Sequence, residues 1–140
     1  MLSLNARLFL TTLYEYTKKD ERLRTTYMAK KLDISKAAIT EISRSLKEEG
    51  YIEYEPYQPY KLTSQGENFA LKTYTRFCTL EKYYFVNFKL NPFRARNEAI
   101  QSEPCISDKL IDLMQKEIPA PEISLFGHPL ITPLPYQLKS

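Results

Sequence analysis

Apolar residues recur at steps of three or four along the first part of the chain, a spacing that predicts amphipathic helices. We expect a first helix over residues 3–17, which the charged run KKDERLR ends, and a short second helix after it. The recurring positions are Ala6, Phe9, Leu13 and Tyr16 in the first helix and Met28, Ala29 and Leu32 in the second.

A third helix is predicted to follow a tight turn at Asp33-Ile34, with Ser35 as its N-cap, and to run to Glu49 before Gly50 stops it. One face is apolar and should point to the core, because its members fall at i, i+3 and i+7: Ile39, Ile42 and Leu46. The side that should point outward starts with short side chains and ends basic: Lys36, Ala37, Thr40, Glu41, Arg44 and Lys47.

The segment YIEYEPYQPYKLTS alternates, turns through two prolines and returns, which is typical of a short β-hairpin. Helix, short helix, tight turn, outward-facing helix and hairpin are the plan of a winged helix-turn-helix. We therefore predict such a domain over residues 1–64, with the hairpin as its wing.

The rest of the chain, residues 65–140, predicts an all-helical domain followed by a proline-rich extended tail that begins at Pro119. Thr63 can cap a long helix to about Phe88, Asn91-Pro92 opens another to about Ser102, and Ser107 caps a last one to Glu117. The apolar stripe of the long helix contains one carboxylate: Ala70, Tyr74, Phe77, Glu81, Tyr84 and Phe88. The next helix places four residues near one face: Phe93, Arg96, Ile100 and, just past its end, Glu103. The fold class is thus mainly α.

Composition adds few constraints. The chain has 140 residues, 43% of them hydrophobic, and no apolar run of about 18 residues or signal-peptide cleavage site, so we expect a cytoplasmic protein without a membrane partner. Cys78 and Cys105 are too few and too far apart for a disulfide framework or a paired metal site, and we expect them to be buried fillers. The net charge of +3 is small, but residues 18–36 hold seven Lys or Arg against three acids.

The outward face of the third helix suits the major groove of double-stranded DNA, which admits one helix when short residues permit close approach. Ser35, Ala37, Ala38 and Thr40 are such residues, and Glu41 can accept a hydrogen bond from a cytosine amino group. Lys36, Arg44 and Lys61 would contact phosphates. The alternative is a winged helix that binds only proteins and whose polar face is solvated.

The order of elements resembles the metal-dependent repressor family that includes the diphtheria toxin repressor and the manganese transport regulator. The resemblance rests on MAKKLDISKAAITEISRSLKEEGYIEYEPYQPYKLTSQGENFA, LEKYYF, NEAIQSEPCISDKL and PEISLFGHPL. It implies a dimeric repressor whose first domain binds operator DNA, whose second dimerises and whose DNA binding needs Fe(II) or Mn(II). It also adds two DNA-contacting positions, Thr25 and Tyr27, to those on the third helix.

The metal ligands that the resemblance implies are mostly absent from this chain. The family's ligand positions fall here on Leu8, Thr11, Phe77, Glu81, Arg96, Ile100, Glu103 and Pro104. Two carboxylates without imidazoles are a poor site for Mn(II) or Fe(II), so we expect weakened or lost metal control and no certain cofactor.

Glu81 and Glu103 lie on apolar faces, where an ionised carboxylate needs a partner. Our hypothesis is that the Arg96 guanidinium replaces the cation that Glu81 would share. One alternative makes Arg96 a solvated surface residue and puts Glu81 at the rim of the dimer interface. Another keeps a metal by recruiting Cys78, Cys105 or His128 beside Glu103, with Cys105 the best of the three.

Two further alternatives are an enzyme and a protein that binds a ligand among its aromatic residues. An enzyme is disfavoured by a single histidine, only three glycines and no nucleophile pattern. The aromatic stretch YTRFCTLEKYYFVNF could supply the dimer surface or bury itself within one chain, and a ligand pocket among Tyr74, Phe77, Tyr83 and Tyr84 stays open.

Overall fold

The computed structural model describes residues 2–118, which form two compact units, residues 2–72 and residues 73–118. The division follows Lys72, inside the long helix, whereas the domain boundary predicted after residue 64 stays a prediction. No helix within residues 2–118 is long and apolar enough to cross a membrane. The tail predicted from Pro119 and the candidate ligand His128 lie outside the described residues.

The first unit has the element order of a winged helix-turn-helix, as predicted, and the predicted helices are present within a residue or two of their expected ends. Its elements are α1 (Leu4–Lys18), α2 (Thr25–Leu32), α3 (Lys36–Glu48), β1 (Ile52–Glu53), β2 (Lys61–Leu62) and the start of α4 (Ser64–Phe88).

The turn before α3 is built as the sequence predicts. Asp33 adopts the left-handed conformation, with φ of 55°, and ends α2. The Ser35 side chain then accepts a hydrogen bond from the Ala38 N–H at 3.0 Å, which caps α3. Ile39 and Leu46 are fully buried beneath the helix, and Ile42 is half-buried. These anchors fix which side of α3 faces outward.

The predicted hairpin is confirmed, with antiparallel partners Ile52 and Leu62, and Glu53 and Lys61. Its strands are only two residues long, because at the next pair in register, Tyr54 and Tyr60, the Tyr60 N–H donates to the Leu23 carbonyl at 2.9 Å instead. Thr63 connects the hairpin to α4: its hydroxyl donates to the Gly50 carbonyl at 2.6 Å and accepts from the Gly66 N–H at 3.0 Å.

The second unit contains the rest of α4, then α5 (Pro92–Ser102), a 3-10 turn (Glu103–Cys105) and α6 (Asp108–Glu117). Asn91 and Ser107 cap α5 and α6 as predicted, accepting from the N–H groups of Arg94 and Leu110 at 2.9 and 3.2 Å. The core cluster of this unit is Leu80, Tyr84, Ala95, Ala99 and Ile111.

One sequence expectation about burial is wrong, that of Cys105, and two aromatic residues of the predicted helix faces are exposed. Phe88 is exposed because α4 ends there, although its ring stacks on Tyr84 with centroids 5.5 Å apart. Phe93 is exposed too, since it lies in the first turn of α5. Cys105, expected as a buried filler, is exposed at the end of the 3-10 turn, whereas Cys78 is buried as expected.

Gly66 tests the packing of α4 against the hairpin, because a Cβ at this buried position would lie 1.9 Å from the backbone oxygen of Tyr51. In an open helix, replacement of glycine by alanine stabilises by about 1 kcal/mol. Here we expect Gly66→Ala to lower the free energy of unfolding in urea by about 1–3 kcal/mol, the usual cost of overpacking. Asn68→Ala, at an exposed position of the same helix, is the control and should change it by under about 0.5 kcal/mol. A stabilised Gly66→Ala variant would contradict this packing.

Candidate nucleic-acid interface

The outward side of α3 is exposed and begins with short side chains. Lys36, Ala37, Thr40, Glu41 and Arg44 are all exposed, and Ala38 is half-buried. No side chain longer than a methyl group projects from Ala37 or Ala38, so a bulky ligand can come close to the helix backbone there. This end of α3 therefore has the shape that a helix needs to enter a groove.

The two hydroxyls of this face have different hydrogen-bonding capacity left. Ser35 accepts from the Ala38 N–H, so its own O–H remains able to donate to a phosphate oxygen. Thr40 donates to the Lys36 carbonyl at 2.9 Å, which leaves its oxygen only as an acceptor. In this rotamer Thr40 can meet a base amino group but not a phosphate, a distinction that the sequence could not make.

Glu41 and Arg44 form an ion pair on the exposed face, with Arg44 Nη2 2.9 Å from Glu41 Oε1. Such exposed i,i+3 pairs contribute under about 1 kcal/mol and are screened by salt. A polyanion could therefore redirect Arg44 at little cost, and Glu41 would then be released to accept from a base.

At the start of α2, Thr25 and Tyr27 are in different situations. The Thr25 hydroxyl lies 2.6 Å from the Tyr60 hydroxyl, so Thr25 holds α2 to the hairpin. Burial raises the pKa of Tyr60 above its usual value, which keeps this hydroxyl protonated. Tyr27, by contrast, is 46% exposed and its ring meets Tyr16 edge to face. Of the two positions, Tyr27 is the one open to a ligand.

Lys31 adds a fixed positive charge beside Tyr27. Its Nζ lies 5.3 Å from the Tyr27 ring centroid and 5.4 Å from that of Tyr16. A hydrogen bond with Tyr16 raises the pKa of Lys31 above its usual value, so the ammonium stays charged throughout the neutral range. In the sequence, Lys31 is recognisable only as part of the basic stretch of residues 18–36.

The hairpin is bound to α3 and to the segment before α2 through backbone carbonyls. Lys47 Nζ donates to the Tyr54 carbonyl at 2.8 Å, and Arg24 Nε lies 3.5 Å from that of Tyr57. The Tyr60 N–H donates to the Leu23 carbonyl at 2.9 Å. Lys61 is exposed on β2. The roles of Lys47 and Arg24 are not evident from the sequence, because nothing in it indicates which backbone carbonyl a cation will contact.

In the second unit, the predicted partners Glu81 and Arg96 are in contact. Arg96 Nε, on α5, lies 3.2 Å from Glu81 Oε2, on α4, and both side chains are fully buried. The alternative of a solvated Arg96 is therefore wrong.

Glu103 is also fully buried and has an arginine partner, one that the sequence analysis missed. Arg76 Nε lies 2.6 Å from Glu103 Oε2, and Arg76 Nη1 lies 2.6 Å from Asp108 Oδ1. The remaining nitrogen, Nη2, donates to the backbone carbonyls of Glu103, at 2.9 Å, and Ile106. A signal did exist: a second acid on an apolar face requires a cation, and Arg76 adjoins the apolar stripe of α4.

These residues do not fit a divalent metal. No group of three or more His, Cys, Asp or Glu that could hold an ion occurs in residues 2–118. Leu8, Phe77 and Ile100 are buried apolar side chains, and the Thr11 hydroxyl lies 3.1 and 3.2 Å from the carbonyls of Arg7 and Leu8. Cys105, the best of the additional ligands considered, is exposed, and the two buried carboxylates are already bonded to arginines.

Comparison with known proteins gives a consistent result. Residues 1–59 match the family model of the iron dependent repressor N-terminal DNA binding domain. An uncharacterised HTH-type transcriptional regulator of Methanocaldococcus jannaschii is 30% identical over 108 residues, which are 76% of this chain and 86% of that protein.

Solved structures share the fold at lower identity. The manganese regulator SloR superposes with a TM-score of 0.79 and 22% identity over 88% of this chain and 57% of its own. A manganese-dependent transcriptional repressor in complex with manganese gives 0.75 and 20%, over 91% and 62%. A hypothetical protein from Sulfolobus solfataricus gives 0.66 and 22%, over 95% and 100%. The chain thus spans about three fifths of the length of the two manganese regulators.

The Thr25–Tyr60 bond predicts a specific stability effect. Tyr60→Phe removes the hydroxyl that holds Thr25, and we expect the free energy of unfolding in urea to fall by about 0.5–1.5 kcal/mol, the net value of one hydrogen bond. Tyr57→Phe is the matched control, because Tyr57 is 91% exposed and should tolerate the same change. Equal effects of the two substitutions would contradict the assigned role of Tyr60.

Proposed function

This chain belongs to the iron-dependent repressor family of HTH-type transcriptional regulators, and we propose that it binds operator DNA by inserting α3 into the major groove. One observation carries this proposal: α3 presents an exposed face with short side chains at its N-terminal end, between a hairpin and an α2 that are bonded to each other. A surface that binds only proteins does not require short side chains at one end of a helix. A helix that enters the major groove does require them.

The residues divide into two roles. The start of α3 would face the bases, where methyl groups can touch thymine and Glu41 can accept from cytosine, while the Ser35 O–H can also donate to a phosphate. These residues are Ser35, Ala37, Ala38, Thr40 and Glu41. A second group would position the protein on the sugar-phosphate backbone. It consists of Lys36, Arg44, Lys61 and Tyr27, with Thr25 in a supporting role. The Lys31 ammonium beside Tyr27 also favours contact between this surface and the sugar-phosphate backbone.

The second unit is proposed to dimerise the protein, because one recognition helix reads only one half-site. It exposes large apolar residues, the kind of surface that subunit interfaces bury: Phe85, Val86, Phe88, Phe93, Leu110 and Leu113. A two-fold dimer would present two copies of α3 to a palindromic operator. As parts of the same proposal, the protein represses transcription, acts in the cytoplasm and has no catalytic activity.

Ala37→Leu tests the insertion of α3. The probe is a fluorescent duplex selected from a random library by the wild-type protein, and binding is followed by anisotropy. We expect at least about a tenfold loss of affinity, since each disrupted base contact costs about 1–3 kcal/mol, with an unchanged melting temperature because Ala37 is exposed.

Ser45→Leu is the control, which introduces the same leucine at an exposed position nearer the end of α3, and should bind within about twofold of wild type. Affinity should also fall steeply with salt, as phosphate contacts require. If no duplex is enriched, or if Ala37→Leu binds like Ser45→Leu, the proposed function is wrong.

If the second unit dimerises through its exposed apolar residues, a negative charge introduced among them on α6 should weaken the dimer. Leu110→Asp and Leu113→Asp should each shift the sedimentation coefficient from dimer toward monomer at micromolar concentration, because a buried carboxylate at an apolar interface is strongly unfavourable. Lys116→Asp adds the same side chain at an exposed polar position of α6 and should stay dimeric. A wild-type protein that sediments as a monomer would contradict this part of the proposal.

A further inference from the structure

Both buried carboxylates of the second unit are held by arginine guanidinium groups. We propose that Arg96 and Arg76 serve as built-in cations for Glu81 and Glu103, so that this regulator binds DNA without Mn(II) or Fe(II). The statement that DNA binding needs no metal rests on the proposed function. The statement that two arginines neutralise the two carboxylates concerns the second unit alone.

The Glu81–Arg96 pair joins α4 to α5 in an interior without solvent access. An ionised carboxylate there needs a positive charge and hydrogen-bond donors, and a guanidinium supplies both. The guanidinium of arginine is also a cation that does not deprotonate in proteins. Unlike a bound metal ion, this cation is covalently part of the chain and cannot be removed by a chelator.

Arg76 performs the same task at Glu103 with more contacts. All three of its side-chain nitrogens are bonded: one to the Glu103 carboxylate, one to Asp108 and one to the carbonyls of Glu103 and Ile106. These partners lie in the segment that connects α5 to α6. Arg76 thus fixes that connection from α4, in the way that a structural metal ion would.

A divalent ion cannot bind favourably at Glu81 or at Glu103. To reach Glu81 or Glu103 it would have to displace a buried guanidinium, whose own charge would then lose its partner, and breaking a buried ion pair in this way is strongly destabilising. The remaining donors do not compensate, since no three His, Cys, Asp or Glu are grouped within residues 2–118. The second unit therefore does not fit a metal site, because arginine charges already neutralise its two buried carboxylates.

The first test uses the full wild-type chain in chelator, in Mn(II) and in Fe(II) under anaerobic conditions. We expect the melting temperature to agree within about 1 °C and the affinity for the selected duplex within about twofold in all three. A metal-dependent rise in melting temperature, or DNA binding that appears only with metal, would overturn the inference. Failure to bind DNA in any condition, with a metal-insensitive melting temperature, would instead remove the proposed function and leave the built-in cations standing.

The second test breaks the Glu81–Arg96 pair. Arg96→Met should lower the melting temperature by about 10–20 °C, as expected when one partner of a buried ion pair is left alone. Glu81→Gln combined with Arg96→Met removes both charges and should recover more than half of that loss. Arg94→Met, at an exposed arginine of the same helix, is the control and should melt within about 2 °C of wild type.

The double substitution keeps this test decisive even if Arg96→Met alone does not fold. If the double variant melts as low as the single one, or if Arg96→Met melts like Arg94→Met, Arg96 is not the cation that Glu81 requires. A destabilisation of Arg96→Met that the double variant relieves would identify the charge, rather than the volume, as the contribution of Arg96.

Discussion

A carboxylate in a protein interior has to be neutralised by a proton, a metal ion or a basic side chain, and the second unit of this protein depends on the last of these. Glu81 and Glu103 are fully buried, and each has an arginine from a different helix. The two pairs connect α4 to α5 and α4 to the segment that leads into α6. The packing of these helices thus depends on two charges that the chain supplies itself.

The first unit uses weaker, more numerous bonds for a different purpose. Lys47, Arg24 and Tyr60 attach the hairpin through backbone atoms or a hydroxyl, and none of these bonds occupies the short residues at the start of α3. These supporting bonds therefore leave the start of α3, the part proposed to meet the bases, unoccupied. A helix held in this way can meet a duplex without rearranging its supports, which lowers the entropic cost of binding.

Local signals were enough to predict the helices. Periodic apolar residues gave their faces, and Ser35, Asn91 and Ser107 marked their starts, because a cap acts within three residues of its partner. The Glu81–Arg96 contact was also predictable, since an acid on an apolar stripe requires a cation. Long-range details were not. Arg76 has the same chemistry, but only the structure shows that it reaches Glu103, and the exposure of Cys105 depends on how the 3-10 turn leaves α5.

The most direct measurement of the central claim is anomalous X-ray diffraction from crystals of the full chain grown in MnCl₂, with data collected at the manganese absorption edge. The account predicts no anomalous peak within coordination distance of Glu81 or Glu103, and density for Arg96 and Arg76 on the two carboxylates. A manganese peak bonded to either carboxylate, with its arginine turned away, would contradict it and would show a regulator that responds to metal through an unorthodox site.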